Sequence, residues 1–183
     1  FASLTIQEVA GNGDNLANPG ETLDLHVALT NHGTSSVTGA VGVLTTALPY
    51  VTLLDAEASY GTVAAGATVS GTYRIRLESD APGGATPELR LDATGSASTW
   101  TSLVALPIHA ARGVLPSVVF GGPGGTFDPG ETGTVTFTLT NVGDRATTGI
   151  AASLACASQW VTVTDAAGAW GAIAAGGSAA QTN

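Results

Sequence analysis

The sequence predicts an all-β fold in which two β-sandwich modules follow one another, the second of them incomplete. One observation is the alternation of apolar and polar residues in stretches such as TLDLHVALT (22–30), which is the period-two signature of a half-buried strand. Another is that no stretch carries apolar residues at the 3.6-residue spacing of an amphipathic helix. The third is that the chain repeats itself at a fixed offset.

The repeat aligns residues 110 positions apart (19 with 129, for example) and needs no gap. PGET at 19–22 recurs at 129–132, and LTNHG at 29–33 recurs as LTNVG at 139–143. Matches that keep one register indicate a tandem duplication. We therefore predict a first domain over residues 1–110 and a second over 111–183. The second has no counterpart of residues 74–110, so we expect it to lack its last strands.

Each strand of the first copy has its own pattern. LTIQEV (4–9) opens the module, the alternating stretch follows, and GAVGVL (39–44) and YVTLL (50–54) fill its middle. Apolar residues then alternate over 69–77 and 89–93, and a long last strand runs from 100 to 108. The clusters NHGTSS, DAPGGATP and ATGSAS form turns between strands. About seven short strands in about 110 residues predict an immunoglobulin-like sandwich.

Apolar packing must hold the two sheets together, because the single cysteine, Cys156, cannot form a disulfide within the chain. Its apolar surroundings in SLACAS predict a buried, unreactive thiol. We expect the large aromatic residues to fill the core or the sheet edges. They are Tyr50, Tyr60, Tyr73, Trp100, Trp160 and Trp170.

The charge composition argues against some classes of function. With 14 acidic residues, five arginines and a formal net charge of −9, the chain repels phosphate backbones, so we expect no nucleic-acid role. No apolar run reaches the roughly 18–20 residues of a membrane span. Only 10% of the residues are charged, and Thr, Ser, Gly and Ala are abundant. This composition favours an extracellular, cell-surface or periplasmic location.

The segment NGDNLANPGETLDLHVALTNHG (12–33) and the later YVT…D…YG stretch resemble a known family. They are similar to bacterial cell-adhesion-related (CARDB-like) immunoglobulin-like modules, which carry a PGE turn, a strand and an NxG turn in that order. The resemblance covers the front half of each copy. It implies a non-catalytic role in adhesion, spacing or domain packing, because such modules are often appended to secreted peptidases and large surface proteins.

The segment GDNLANPGE (13–21) raises the question of a metal site. Calcium binds several hard oxygen ligands that converge from a short loop. Asp14, Asn18 and Glu21 can offer side-chain oxygens, together with a backbone carbonyl from near Leu16, so these three residues are our candidate calcium ligands. The spacing differs from that of the helix–loop–helix calcium motif, and we expect no other cofactor.

The second copy argues for a structural interpretation of the same segment. It has glycines at 124 and 125 in place of Asp14 and Asn15, while Asp128 and Glu131 remain. The shared part is the Pro-Gly turn, in which proline fixes φ and glycine adopts a positive φ. The residue before the proline can accept backbone N–H groups, and the glutamate can tether a neighbouring loop. We favour a structural corner and keep the metal site as the alternative.

We predict no catalytic residues. Nucleophilic catalysis needs a serine, threonine or cysteine beside a positioned base. The histidines are only His26, His32 and His109, and Cys156 belongs to the copy without histidine. The glycine-rich GGPGG (121–125) lacks the following lysine and helix of a phosphate-binding loop. The sequence therefore predicts a chain that is not an enzyme.

Other polar residues also have structural interpretations. Asn31 and Asn141 each stand two positions before a glycine, where we expect an Asx turn. Three arginines on outward strand faces are expected to pair with acidic residues across the sheet, with docking of an acidic partner as the alternative. The arginines are Arg74, Arg76 and Arg90, and the acidic residues are Glu78, Glu88 and Asp92.

The leading hypothesis is a non-catalytic structural or interaction module whose partners are other proteins or neighbouring domains of the same chain. The alternatives are a calcium-dependent or carbohydrate-binding module, and an accessory domain of a larger secreted hydrolase or extracytoplasmic complex. The incomplete second copy adds a further hypothesis, in which another chain donates a strand to complete the sheet. The competing explanation is that the sequence is a piece of a longer chain.

Overall fold

The computed structural model describes residues 1–96, 98–122 and 125–182. Over these ranges the chain is all-β, with strands and turns and no α-helix. It divides into two compact units, Phe1–His109 and Ala110–Asn183. Each unit is described by itself below.

The first unit consists of two antiparallel sheets. Its strands are β1 (Ser3–Ala10), β2 (Thr22–Thr30), β3 (Val37–Thr45), β4 (Val51–Asp55), β5 (Glu57–Val63), β6 (Thr68–Leu77), β7 (Glu88–Gly95) and β8 (Ser98–Ala105). One sheet has the order β1-β2-β6-β4 and the other the order β5-β3-β7-β8. Both sheets contribute to one buried apolar cluster, an arrangement that fits a β-sandwich.

The alternation predicted for the strands places their apolar residues in this core. In β2 the inward side chains of Leu23, Leu25 and Val27 are fully buried, while the polar residues between them are half-buried. The opposite sheet contributes Leu44 of β3 and Leu91 of β7, which are also fully buried. Each such side chain stabilises the fold by about 1.5–3 kcal/mol through removal of its apolar surface from water.

Two tyrosines stand at the centre of the first unit. The Tyr60 hydroxyl donates to the Val27 carbonyl at 3.1 Å and lies 3.2 Å from the Tyr73 hydroxyl. Burial raises the pKa of both tyrosines. Gly42 and Gly71 make room for the pair, since a Cβ at Gly71 would lie 2.7 Å from Tyr60 Cζ and one at Gly42 would lie 2.9 Å from Tyr60 Cε2. These glycines are therefore required by packing.

The second unit repeats part of this strand pairing. Its strands are β9 (Gly113–Gly121), β10 (Thr134–Asn141), β11 (Ile150–Ser153), β12 (Ala167–Trp170) and β13 (Ser178–Thr182). One sheet has the order β13-β10-β9, and β11 pairs with β12 in the other. The pairs Thr136↔Thr182 and Ser153↔Ala167 lie 110 residues beyond His26↔Thr72 and Val43↔Glu57. The offset seen in the sequence is therefore also present in these registers.

The aromatic residues only partly follow the prediction. Tyr60, Tyr73 and Trp170 are buried, but Trp160 is 85% exposed, so its assignment to the core or a sheet edge is wrong. Trp160 immediately precedes the counterpart of β4, residues 161–165, and this segment forms no strand in the second unit. In the first unit β4 pairs with residues 74–77 of β6, whose counterparts lie beyond position 183. Among the described residues, the segment after Trp160 therefore has no strand with which to pair.

Candidate functional site

The loop between β1 and β2 contains the three residues predicted to bind calcium. Glu21 is the most buried of them, at 5% exposure. Its carboxylate accepts the backbone N–H groups of Asn12 at 3.2 Å and Asn18 at 3.0 Å, and the Asn18 side-chain amide at 3.2 Å. The buried charge is thus compensated by three donors, and it ties the start of the loop to its end.

Asn18 occupies the centre of this cluster. Its side-chain nitrogen donates to Asp14 Oδ1 at 3.1 Å, the Leu16 carbonyl at 3.4 Å and Glu21 Oε2 at 3.2 Å. The structure therefore brings Asp14, Asn18 and Glu21 together, with an amide N–H group where a cation would have to lie. The expectation that the side chain before the proline accepts hydrogen bonds is wrong for Asn18, which donates them.

Glu8, at the end of β1, is a loop residue that the sequence analysis missed. Its carboxylate accepts the Gly13 N–H at 2.7 Å and the Asn15 N–H at 3.4 Å. Asn15 has a φ of 56°, in the left-handed region that asparagine tolerates better than most residues, and its Oδ1 accepts the Glu8 N–H at 3.1 Å. Nothing in the local pattern of β1 distinguishes Glu8 from a solvent-facing strand residue.

The calcium hypothesis makes a direct prediction. If the amide of Asn18 turns, its oxygen joins Asp14, Glu21 and the Leu16 carbonyl as a hard ligand. Isothermal titration of the chain with calcium should then give heat that Asp14→Ala abolishes and Glu131→Gln leaves unchanged. The absence of both heat and a thermal shift at millimolar calcium would remove the hypothesis. Within the described ranges, no group of three or more His, Cys, Asp or Glu side chains is placed to hold a metal.

The PGE corner has the same geometry in both copies. Its glycine has φ values of 88° at Gly20 and 87° at Gly130, so the predicted positive φ is confirmed. The following glutamate accepts the backbone N–H of the residue three positions earlier, at 3.0 Å in each copy. Gly124, the counterpart of Asp14, lies outside the described residues. The shared contacts are those of a turn closed by its own glutamate.

The asparagine side chains of both NxG turns form hydrogen bonds with backbone groups. Asn31 Oδ1 accepts the Gly33 N–H at 2.9 Å, and its side-chain nitrogen donates to the carbonyls of Ser35 and Val63. Asn141, fully buried, makes the corresponding three contacts with residues 143, 145 and 173. The predicted Asx turns are confirmed in both copies.

The arginines of the first unit form ion pairs on its strands. Arg76 pairs with Glu78 at 2.6 Å and Arg90 pairs with Asp92 at 2.8 Å. These partners were predicted, but the pairs join residues two positions apart in the chain and do not cross the sheet. Arg74 instead pairs across the sheet with Asp24 at 2.7 Å, a partner that was not predicted, because the two residues face each other in the β2–β6 register. The Arg74 guanidinium holds the pKa of the Asp24 carboxyl below its ordinary value.

We expect Arg74→Gln to raise the pKa of Asp24, while Arg76→Gln leaves it unchanged. The lowered folded-state pKa means that the pair contributes stability above the unfolded pKa of about 4, which is lost as pH falls through the folded value. The contribution at neutral pH should be small, because the guanidinium is about half exposed and solvent screens the pair. NMR titration of the Asp24 carboxyl carbon measures the shift, and an unchanged value in Arg74→Gln would contradict the assignment.

His26 and Cys156, which the sequence analysis considered for catalysis, belong to different units. His26 Nδ1 lies 2.9 Å from Thr72 Oγ1, and its Nε2 lies 3.2 Å from Gln7 Oε1, all on the outer face of one sheet. Cys156 is exposed, so the prediction of a buried thiol is wrong. It follows β11 in a segment without strands that also contains Trp160.

The two units differ in how fully they bury apolar side chains. In the first unit the buried residues extend from Ala17 to Ile108, whereas among the described residues of the second only Trp170 and Ile173 are buried hydrophobics. The large apolar side chains that the second unit exposes are Leu115, Val118, Val119, Phe120, Phe127, Val142, Trp160 and Val161.

An apolar groove of about 310 Å³ opens between the two sheets of the second unit. We define this apolar groove by Phe137 and Leu139 of β10, Ile150 of β11, Leu154 just after β11, and Trp170 of β12. The indole N–H of Trp170 is buried and has no hydrogen-bond acceptor among the described residues. A buried donor without an acceptor is unfavourable by about 1–3 kcal/mol.

Neither a scan against models of known protein families nor a search of curated proteins finds a match to this chain. The resemblance to bacterial cell-adhesion-related modules therefore stays a prediction from the sequence motifs. Among the described residues, no helix has the length and apolar character needed to cross a bilayer.

Proposed function

We propose that the chain is a non-catalytic structural and interaction module of a secreted or cell-surface bacterial protein, built from tandem immunoglobulin-like β-sandwiches. It mediates adhesion, spacing or assembly with other proteins or with neighbouring domains. The observation that carries this proposal is the exposed apolar surface of β9, formed by Val118, Val119 and Phe120, because exposed apolar surface of this kind is typical of interaction sites.

The use of the polar side chains supports the same proposal. Glu8, Glu21 and Glu131 accept backbone N–H groups, and Asp24 and Asp92 bind arginines. These contacts hold turns and strands in place, and a carboxylate engaged in this way is a poor general acid or base. The resemblance of the PGE and NxG motifs to adhesion-related modules points in the same direction.

The experiment compares apolar residues of similar exposure in the two units. Val119 and Phe120 of β9 are 56% and 49% exposed, and Leu54 and Leu103 of the first unit are both 54% exposed. We expect sedimentation velocity of the full chain to show concentration-dependent association. The double variant Val119→Ser/Phe120→Ser should weaken it, and Leu54→Ser/Leu103→Ser should leave it unchanged.

The proposal is contradicted by a chain that stays monomeric and turns over a substrate from a panel of ester, peptide and glycoside probes. The turnover must disappear on substitution of one polar side chain while the hydrogen-exchange protection of β2 and β6 is retained. That result would assign a catalytic function.

A further inference from the structure

Asn12 and Gly13 form the one Asn-Gly pair of the sequence. In such a pair the backbone nitrogen of the glycine can attack the side-chain amide carbon of the asparagine, because glycine has no side chain to obstruct the approach. Gly13 has a φ of 86°, and a Cβ built on it would meet no atom within 4 Å. Both residues are exposed in the loop between β1 and β2, so water has access to them. Asn12 is therefore a candidate for covalent modification.

The reaction at this pair exchanges ammonia for water. The Gly13 nitrogen loses its proton and forms a bond to Asn12 Cγ, while the bond from Cγ to Nδ2 breaks and ammonia leaves with that proton. Water then hydrolyses the resulting five-membered succinimide ring, which leaves aspartate or isoaspartate at position 12. One amide becomes one carboxylate, and the reaction needs no oxidant or reductant.

Two contacts of the loop affect this reaction in opposite directions. Asn12 Oδ1 accepts the Asp14 N–H at 3.0 Å, and this oxygen takes up negative charge when the amide carbon becomes tetrahedral, so the contact favours the attack. The attacking group is itself occupied, because the Gly13 N–H donates to the two carboxylate oxygens of Glu8 at 2.7 and 2.8 Å. A carboxylate beside this nitrogen opposes the loss of its proton, and ring closure must break both hydrogen bonds.

We propose that Asn12 is a latent deamidation site that the Glu8 carboxylate protects. Glu8 holds the attacking Gly13 nitrogen, and the site reacts when that contact is lost. This gives the carboxylate at the end of β1 a chemical role in addition to its part in closing the loop. The inference goes beyond the proposed interaction function and does not depend on it.

The product of the reaction changes the electrostatics of the loop. A Cβ built on Gly11 would meet carboxylate oxygens of both Glu8 and Glu21, so the two acidic side chains flank the residue next to Asn12. A third carboxylate at position 12 repels these two, and isoaspartate also inserts an extra carbon into the backbone. We expect the Gly13 N–H to exchange faster after the modification, and Asn12→Asp to reproduce the part of this effect that is due to charge.

The test follows deamidation of Asn12 in the full chain by mass spectrometry, because replacement of ammonia by water changes the mass of the fragment that contains it. A peptide of residues 8–17 has the same sequence without the folded loop and serves as the reference. The parent chain should deamidate about tenfold to a hundredfold more slowly than the peptide, the factor that a hydrogen bond to a charged group supplies. Glu8→Ala should deamidate at least as fast as the peptide, and Glu8→Gln, which keeps an acceptor without the charge, should lie between them.

Glu21→Ala separates protection by Glu8 from a general loosening of the loop. This substitution removes the acceptor of the Asn12 N–H but leaves the contact between Gly13 and Glu8. Its rate of deamidation should therefore stay close to that of the parent chain. Hydrogen exchange of the β2 amides shows whether the first unit of each variant is folded.

Three results overturn the proposal: a parent chain that deamidates as fast as the peptide, a folded Glu8→Ala chain that deamidates as slowly as the parent, or equal acceleration by Glu8→Ala and Glu21→Ala. If Glu8→Ala does not fold, the comparison of the parent chain with the peptide and with Glu8→Gln decides. None of these measurements involves association of the chain, so a failure here leaves the proposed function standing.

Discussion

Tyr73→Ala should lower the free energy of unfolding of the first unit by about 3–5 kcal/mol. Tyr73 is fully buried on β6, and its ring lies between the two sheets beside Tyr60. Alanine leaves a cavity that the surrounding strands cannot close, because neighbouring Leu25 and Ile75 are held by the same sheet. The measurement is hydrogen exchange of the β2 and β6 amides, which reports on this unit alone.

Two control variants test whether the effect of Tyr73→Ala comes from loss of the buried ring. One keeps the ring and removes the hydroxyl, and the other truncates an exposed side chain. Tyr73→Phe keeps the ring and loses only the hydroxyl contact, so it should lower the free energy by about 1 kcal/mol. Leu54→Ala removes a side chain that is more than half exposed and should change it by less than about 0.5 kcal/mol. Equal effects of Tyr73→Ala and Tyr73→Phe would show that the ring is not what fills the core.

Glu21→Ala should lower the free energy of unfolding by about 2–3 kcal/mol. The substitution removes the acceptor of the Asn12 and Asn18 N–H groups in a part-buried loop, and donors left without an acceptor there are unfavourable by about 1–3 kcal/mol. Hydrogen exchange of these two amides should accelerate together with that of β2. The calcium hypothesis is tested separately by titration, so a structural role and a metal role are not confused.

The duplication supplies the matched control for this loop. Glu131→Ala removes the equivalent glutamate, which is exposed and accepts one N–H group, from Asp128. Water can replace that contact, so we expect a loss of less than about 1 kcal/mol. Similar losses at the two glutamates would mean that the turn, rather than the buried tether to Asn12, accounts for the contribution of Glu21.

Local patterns predicted the features that depend on neighbours in the sequence. Alternation along β2 predicts which residues are buried, since successive side chains of a strand point to opposite faces. The PGE corner and the asparagine turns are formed by contacts within a few residues, so their geometry follows from residue types. The all-β class is predicted for the same reason.

Features that depend on pairing between distant segments were not predicted. Arg74 pairs with Asp24 because the register of β2 against β6 places the two residues opposite each other. Arg74 and Asp24 are 50 residues apart in the chain, so this pairing does not follow from local sequence. Glu8 acquires its role because the loop folds back over the end of β1. Trp160 was assigned to the core or a sheet edge as a large aromatic residue, and Cys156 to the interior from its apolar neighbours. Both are exposed, because their segment forms no strand among the described residues.

The pairing of β4 with the far half of β6 has a consequence for folding during synthesis. A nascent chain that has reached only Tyr73 already contains β1, β2 and the near half of β6, the same set that β9, β10 and β13 represent. β4 must wait for residues 74–77, although it precedes them in translation. During synthesis, β4 therefore cannot join its sheet until residues 74–77 have left the ribosome.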